Sequence, residues 1–268
     1  FAGPARYDRI VQLIEELPNA TAADMEVIHS DVVSLLAPSI ISALTTHVTR
    51  FAHPLGQWLV DQLTGWDCAL CEESVEASIY SVIRRRWAES VGERLGIATP
   101  ELGGPKWPSP ESASRMLYEA AMHLLVDGNW HLVPGLDSEE DLDVALSACI
   151  DETLEELGQR LGADRSQWTW GRLHRMASPH PLASAVEEAR HLHPPIDSCP
   201  GDSDTVRRGE VVPETGERSA TASVARYVFD LDDWDRSGWV VPHGVSGVRG
   251  EGHDMDQRAA WLNCTLIP

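Results

Sequence analysis

The sequence predicts an α+β fold that is mainly helical and carries a β-hairpin near its C terminus. Apolar residues recur at three- and four-residue spacing through residues 6–191, prolines and glycines cluster after residue 193, and two β-rich segments follow. We therefore expect a helical region over residues 1–193 and a loop-rich segment with a hairpin over residues 194–268, both within one domain. A separately folding C-terminal domain is the alternative.

Capping residues mark where three helices should begin. Thr21 precedes Asp24 with the spacing of a capping box. Ser109 stands ahead of Pro110, a residue suited to the first helical position. Residues 137–140 read Asp-Ser-Glu-Glu, which places acidic groups where the helix dipole favours them. These signals predict helices that begin near residues 21, 110 and 138.

Apolar periodicity defines the buried faces of three helices. One helix has an apolar residue at every fourth position, at Ile79, Ile83, Trp87, Val91 and Leu95. On its solvent side, Arg85 is expected to pair with Glu89. A second helix over residues 111–127 has an apolar side made of Met116, Leu117, Ala120, Ala121, Leu124 and Leu125. A third, closed by Gly162, has a stripe made of Leu142, Leu146, Cys149, Ile150, Leu154, Leu157 and Leu161.

The hairpin is predicted from residues 222–231 and 238–241, which are rich in β-branched and aromatic side chains and flank a polar turn from Asp232 to Ser237. Two strands alone are only marginally stable. The hairpin should therefore lie on a larger sheet or against the helices.

Composition excludes several functions. The chain has 21 Lys and Arg against 42 Asp and Glu, a net charge of -21, so we expect no nucleic-acid partner. Its apolar runs are shorter than the roughly 20 residues of a membrane span, so we expect no membrane partner.

Phe1 opens the chain without the layout of a secretion signal, which predicts a start made by a cut. The five cysteines are too few for a disulfide scaffold of this length.

Two cysteine and histidine patterns have the spacing of metal or redox sites. Cys68 and Cys71 could form half of a zinc site or a redox pair, but no second pair follows, so we predict structural thiols. A metal could also be bound by the neighbours in sequence His174, His180, His191, His193 and Cys199. They lack a recognised ligand spacing, so surface and loop histidines are the simpler interpretation.

Ser246 is the one serine in a pattern that invites a catalytic role. Gly244, Ser246 and Gly247 resemble a nucleophile elbow, but Val248 stands where that motif needs glycine, so a turn is the simpler interpretation. An alternative enzyme hypothesis makes Ser246 the nucleophile of a triad with His243 or His253 and with Asp254.

Trp168, Trp170 and His174 could line an acyl pocket, because residues four apart share a helix face. Aromatic residues at helical spacing usually pack in a core, and we favour that role for these three.

Several segments in a fixed order together resemble one family. They are residues 6–10, 21–25, 31–34, 63–67, 168–174, 180–182, 200–206, 225–231, Trp234, 242–247, 253–257 and Trp261. The most specific is residues 168–174, Trp-Thr-Trp-Gly-Arg-Leu-His. These segments resemble the penicillin acylase (penicillin amidase) family of N-terminal-nucleophile hydrolases. The resemblance implies that the chain is the C-terminal part of the β subunit and a fragment of the αββα fold.

The resemblance also implies the chemistry. Family members hydrolyse the amide of an acylated amine, such as a penicillin or an acyl-homoserine lactone, with a serine that is exposed by self-cleavage and uses its own α-amino group as the base. The serine, an oxyanion-holding asparagine and the acidic ligands of a calcium ion lie upstream of the region that matches. We thus expect no cofactor or metal in this segment, a small-molecule acyl amide as substrate, and a periplasmic or extracellular location. The expected partners are the α subunit and the N-terminal part of the β subunit, both from the same precursor.

Arg6 is the one catalytic-site residue that the resemblance carries over; it would order the site and position its polar groups. Arg9, one helical turn away, is the alternative counterpart, and an exposed helix arginine is the simplest interpretation. The substrate-binding residues stay unknown at this point. The alternative to an enzyme is a non-catalytic acidic helical scaffold or partner-binding module. An enzyme part separated from its precursor should expose a larger apolar patch than such a module.

Overall fold

The structure is a computed structural model that describes residues 4–97, 110–176, 180–211 and 222–268. Its helices are α1 (Ala5–Glu15), α2 (Ala22–His29), α3 (Ala37–His47), α4 (Gly56–Thr64), α5 (Val75–Arg94), α6 (Pro110–Val126), α7 (Glu139–Leu161), α8 (Trp170–Leu173), α9 (Pro181–Ala185) and α10 (Arg258–Leu262). Its strands form two antiparallel pairs, β1 (Arg175–Met176) with β2 (Asp197–Ser198) and β3 (Arg226–Val228) with β4 (Gly238–Val240). The predicted α+β class with a helical majority is confirmed.

The predicted helix starts coincide with caps. Thr21 and Asp24 form the reciprocal bonds of a capping box at the start of α2. Ser138 caps α7 by accepting a hydrogen bond from the backbone N–H of Asp141. Helix α6 begins at Pro110, while Ser109 lies outside the described residues. Because a cap acts within one turn, it can be found from sequence alone.

Helix α5 is the centre of the helical region, and it is buried on almost every side. Ile79, Ile83, Trp87 and Val91 are in the core as predicted. Leu95 is exposed instead, because the helix ends at Arg94.

The predicted solvent side of α5 is also wrong. Arg85 does pair with Glu89 at 2.8 Å, but its side chain is buried because Glu156 of α7 covers it at 2.5 Å. The side that carries Arg85 therefore faces a neighbouring helix.

The apolar stripe of α7 is confirmed, and Leu142 through Leu157 of that set are buried, with Leu161 partly buried. The predicted face of α6 is partly wrong. Met116 and Ala120 are exposed, and the buried side instead consists of Tyr118, Ala121, Met122 and Leu125. Tyr118 turns inward because its ring packs under the guanidinium of Arg84, 4.9 Å from the ring centre.

The hairpin forms where it was predicted, with shorter strands and a turn that contains a short 3₁₀ helix at Trp234–Arg236. It lies against a small core of Met176, Cys199, Val240, Trp261 and Leu266. A single bridge from Trp239 to Ile267 extends it.

The segment after residue 193 packs on the helices before it. Strand β1 pairs with β2 across this point, and the backbone N–H of Gly201 donates to the carbonyl of Leu70 at 2.9 Å. Two elements differ from the prediction: β1 interrupts the region expected to be helical, and α10 forms within the loop-rich segment. Both are too short to leave a periodic signal. Within the described ranges, no helix is long and apolar enough to cross a membrane.

Candidate functional site: a cavity lined by arginines

Arg6 lies in the wall of a cavity of about 360 Å³ that α1, α2 and β3 enclose. Residues 6, 10 and 14 share one face of α1 because they are four apart. The apolar wall consists of Ile10, Ile14, Met25 and Ile28, and the polar wall includes Arg6, His29 and Arg226. No carboxylate is among the lining residues. We call this space the arginine cavity.

The two arginines bring uncompensated positive charge to the cavity. Arg6 is half-buried, and its Nε donates to the carbonyl of Val206 at 3.3 Å. Within the described residues, the terminal nitrogens of Arg6 have no hydrogen-bond partner, and neither Arg6 nor Arg226 pairs with a carboxylate. Burial, and then the charge of Arg208, lowers the pKa of Arg6. In a protein of net charge -21, this local cation excess favours an anion or a polarised carbonyl.

Arg226 and His29 are fixed by their surroundings. The buried guanidinium of Arg226 stacks 4.4 Å from the ring centre of Trp261 and donates to the Trp261 carbonyl. Burial, together with the charges of Arg226 and Arg6, lowers the pKa of His29. His29 is therefore a neutral imidazole at neutral pH, and its buried Nδ1 has no hydrogen-bond partner in the described part of the chain.

Arg9 is engaged elsewhere. Its guanidinium makes bonds of 3.1 and 2.7 Å to the two carboxylate oxygens of Asp31, and it also donates to Gln12. This ion pair ties α1 to the start of the segment that follows α2. Of the two arginines on α1, Arg6 is thus the one with free donors facing a cavity.

The Ser246 constellation is not assembled as a triad. Ser246 Oγ accepts a hydrogen bond from the backbone N–H of Val248, as in a turn. His253 donates to Asp256, Asp254 pairs with Arg249, and His243 accepts from Arg258. No hydrogen bond joins Ser246 Oγ to either imidazole within the described ranges.

The cysteine and histidine patterns form no metal or redox centre in the part of the chain that the structure describes. Cys68 and Cys71 are free thiols, and burial followed by the charge of Asp67 raises the pKa of both, which disfavours the reactive thiolate. His191 bonds to the Glu188 carbonyl, and His193 accepts from the backbone of His180. Among the described residues, no cluster of carboxylates could hold the calcium ion that the family resemblance implies.

Trp168, Trp170 and His174 pack the junction between the helices and the segment after residue 193, as predicted. All three are buried, and the Trp170 indole donates to the Gly201 carbonyl at 3.1 Å. His174 stacks on Trp170 with a centroid distance of 4.4 Å, and burial lowers its pKa to about 4. None of them is available to line an acyl pocket.

Sequence reasoning missed one buried ionic cluster. Arg84 donates to Asp202 at 2.9 Å and to Asp204 at 2.5 Å, and both Arg84 and Asp202 are buried. The available signal was a run of three arginines, residues 84–86, between the apolar residues Ile83 and Trp87 of the same helix. Such a run on a buried helix demands carboxylate partners.

Comparison with known proteins identifies the family of the chain. The penicillin amidase family model matches residues 1–268. The chain is 30% identical over 273 residues to the penicillin acylase 2 proenzyme of Pseudomonas sp. strain SE83, covering 99% of this chain and 33% of that proenzyme. It is 25% identical over 205 residues to the acyl-homoserine lactone acylase QuiP of Pseudomonas putida, covering 75% of this chain and 24% of that protein. It thus spans a third or less of the length of these relatives. The chain belongs to the penicillin amidase family.

Proposed function

We propose that this chain is the C-terminal part of the β subunit of a penicillin-acylase-like amidohydrolase whose nucleophilic serine lies outside residues 1–268. The whole enzyme would hydrolyse the amide of an acylated amine, of penicillin or acyl-homoserine-lactone type. One observation carries the proposal: the similarity extends over 99% of this chain but only 33% of a penicillin acylase proenzyme. The remaining length is room for the nucleophile and for its oxyanion-holding partners.

Arg6 is proposed as a positioning residue of that enzyme. Arg6 lines a cavity without carboxylates, and its terminal nitrogens have no partner among the described residues, so they can hold a carbonyl or carboxylate oxygen from the assembled site. A fixed cation close to the α-amino group of a catalytic serine would also disfavour the ammonium form of that amine. The amine would then stay available as the base that accepts the proton of the serine hydroxyl.

Turnover tests the main proposal. Residues 1–268 alone and the same residues coexpressed with the polypeptide encoded upstream in the same reading frame are compared on a chromogenic phenylacetyl anilide and on an N-acyl-homoserine lactone. We expect hydrolysis only from the combination. Turnover by the chain alone, or labelling of Ser246 by a fluorophosphonate probe, would overturn the proposal in favour of the Ser246 triad.

The role of Arg6 has its own test in the assembled enzyme. Arg6→Met should lower kcat/KM on the order of 10²-fold, mainly through kcat, because the groups of the reacting centre lose the cation that positions them. Arg6→Lys should recover part of the rate. Arg190→Met, at an exposed arginine that precedes the C-terminal segment, is the matched control and should leave both constants unchanged. Equal kinetics for Arg6→Met and the control would remove Arg6 from the site.

We further propose, from the family resemblance, that the assembled enzyme works in the periplasm or outside the cell. Fractionation of the producing cells, followed by the same anilide assay, tests this. Activity confined to the cytoplasmic fraction would contradict it.

A further inference from the structure

The outward face of the β3–β4 hairpin is a cluster of exposed aromatic side chains. Tyr227 and Trp239 are direct cross-strand partners, and they are 54% and 47% exposed. Phe229 (57% exposed) stands 5.1 Å from the Tyr227 ring and 5.8 Å from the ring of Trp234 (63% exposed). We call these four residues the aromatic patch. Contiguous exposed aromatics of this kind mark interaction sites rather than ordinary surface.

The other face of the same hairpin is already buried. Arg226 and Val240, the neighbouring cross-strand pair, point inward against Trp261. A hairpin with one buried face and an aromatic outer face is typical of a sheet covered by a layer on each side. A two-stranded sheet is also marginal by itself. The hairpin therefore has one covering layer in this chain and lacks the second within the described residues.

We propose that the aromatic patch is the docking surface for the remainder of the amidohydrolase precursor, a proposal that rests on the function proposed above. Tyr227 connects the two surfaces, because it belongs to the patch and also lines the arginine cavity. A polypeptide bound to the patch would lie at the edge of that cavity. It would then place its catalytic centre close to Arg6. The similarity covers only 33% of the proenzyme. The rest of such a protein would be the polypeptide that docks on the patch.

Charge distinguishes this occupant from a second copy of the chain. The turn that adjoins the patch carries Asp230, Asp232, Asp233 and Asp235, with Arg236 as the one basic residue among them. Two copies that met through their patches would bring these carboxylates together, on chains of net charge -21 each. Like charges across an interface oppose association. The partner surface is therefore expected to be apolar with a basic rim.

The test measures the affinity of residues 1–268 for the polypeptide encoded upstream in the same reading frame. Phe229→Ser and Trp234→Ser remove patch side chains that are mostly exposed, so the fold should persist, which circular dichroism and urea unfolding verify. We expect each to raise Kd about tenfold or more, as for central aromatic residues of interfaces. Leu132→Ser and Val144→Ser remove exposed apolar side chains of the helical region and should change Kd less than about twofold.

The outcomes separate the two proposals. If the parts combine and hydrolyse amides but the patch variants bind as the wild type does, the docking surface is wrong and the proposed function stands. If the patch variants weaken binding but the combined parts hydrolyse no acyl amide, the docking surface stands and the proposed function is overturned. If the patch variants abolish only a dimer of residues 1–268 in size-exclusion chromatography, a second copy is the occupant and the inference is overturned.

Discussion

Arg84 offers the sharpest test of the packing that joins α5 to the segment after residue 193. Its side chain is 4% exposed, bonds to Asp202 and Asp204, and lies over the rings of Tyr80 and Tyr118. Arg84→Met keeps most of the apolar volume but leaves Asp202 as an uncompensated carboxylate in the core. Breaking a buried ion pair from one side costs about 3–5 kcal/mol. We expect the free energy of unfolding at about pH 8 to fall by that amount.

Urea unfolding, followed by tryptophan fluorescence, measures this loss, and equal m-values are needed for the comparison. Arg190→Met is the control, because Arg190 pairs with Glu187 at 3.5 Å while the two side chains are 69% and 77% exposed. Such a surface pair contributes about 0–1 kcal/mol. The double variant Arg84→Met with Asp202→Asn should recover part of the loss, since it no longer buries a lone charge. A loss for Arg84→Met no larger than that for Arg190→Met, at an unchanged m-value, would refute the reasoning.

Three further predictions concern stability. Burial lowers the pKa of His174 to about 4, so between about pH 6.5 and pH 4 this imidazole is protonated in the unfolded chain but neutral in the folded chain. The free energy of unfolding should therefore fall as the pH drops from about 6.5 towards 4. Urea midpoints across that range should depend less on pH in His174→Gln; an unchanged slope would contradict this. Trp170→Ala, which empties a fully buried site, should cost about 3–5 kcal/mol in urea unfolding, and a loss below about 1 kcal/mol would contradict its place in the core. Thr21→Ala should lower the free energy of unfolding by about 1 kcal/mol, because it removes the cap of α2, whereas Thr21→Ser should keep the cap and the stability. Equal urea midpoints for the two variants would show that the cap does not contribute.

The sequence predicted best what short-range interactions determine. The start of α2 at Thr21 and the extent of α7 from Ser138 to Gly162 follow from caps and periodicity within the segment itself. The errors arise where a neighbouring element decides. Arg85 looked solvent-facing because its helix face carries charge, but Glu156 of α7 supplies the charge partner and covers it. No property of α5 alone could have revealed that contact.

The candidate site was less predictable than the helices, for the same reason. Arg6 could be singled out through the family resemblance, but its cavity is completed by Val206 and Arg226, about 200 residues further along the chain. Arg226 shows no pattern that would mark it as a cavity residue, because β3 is three residues long and too short for a clear alternation. In the sequence, Tyr227 and Phe229 fit an ordinary strand. Their exposure could not be predicted, because it depends on which layer covers the sheet.

The arginine cavity depends on the two ends of the described chain being held together. Arg6 bonds to Val206, the backbone N–H of Arg207 donates to the Asp31 carbonyl at 2.8 Å, and the Cys264 thiol donates to the His29 carbonyl at 3.5 Å. Helices α1 and α2 are thereby fixed to the C-terminal segment, which in turn carries the aromatic patch. Any layer that docks on the hairpin therefore meets a rigid support whose position is coupled to that of Arg6. Under the function proposed above, this coupling would set where Arg6 stands relative to a serine supplied by the rest of the precursor.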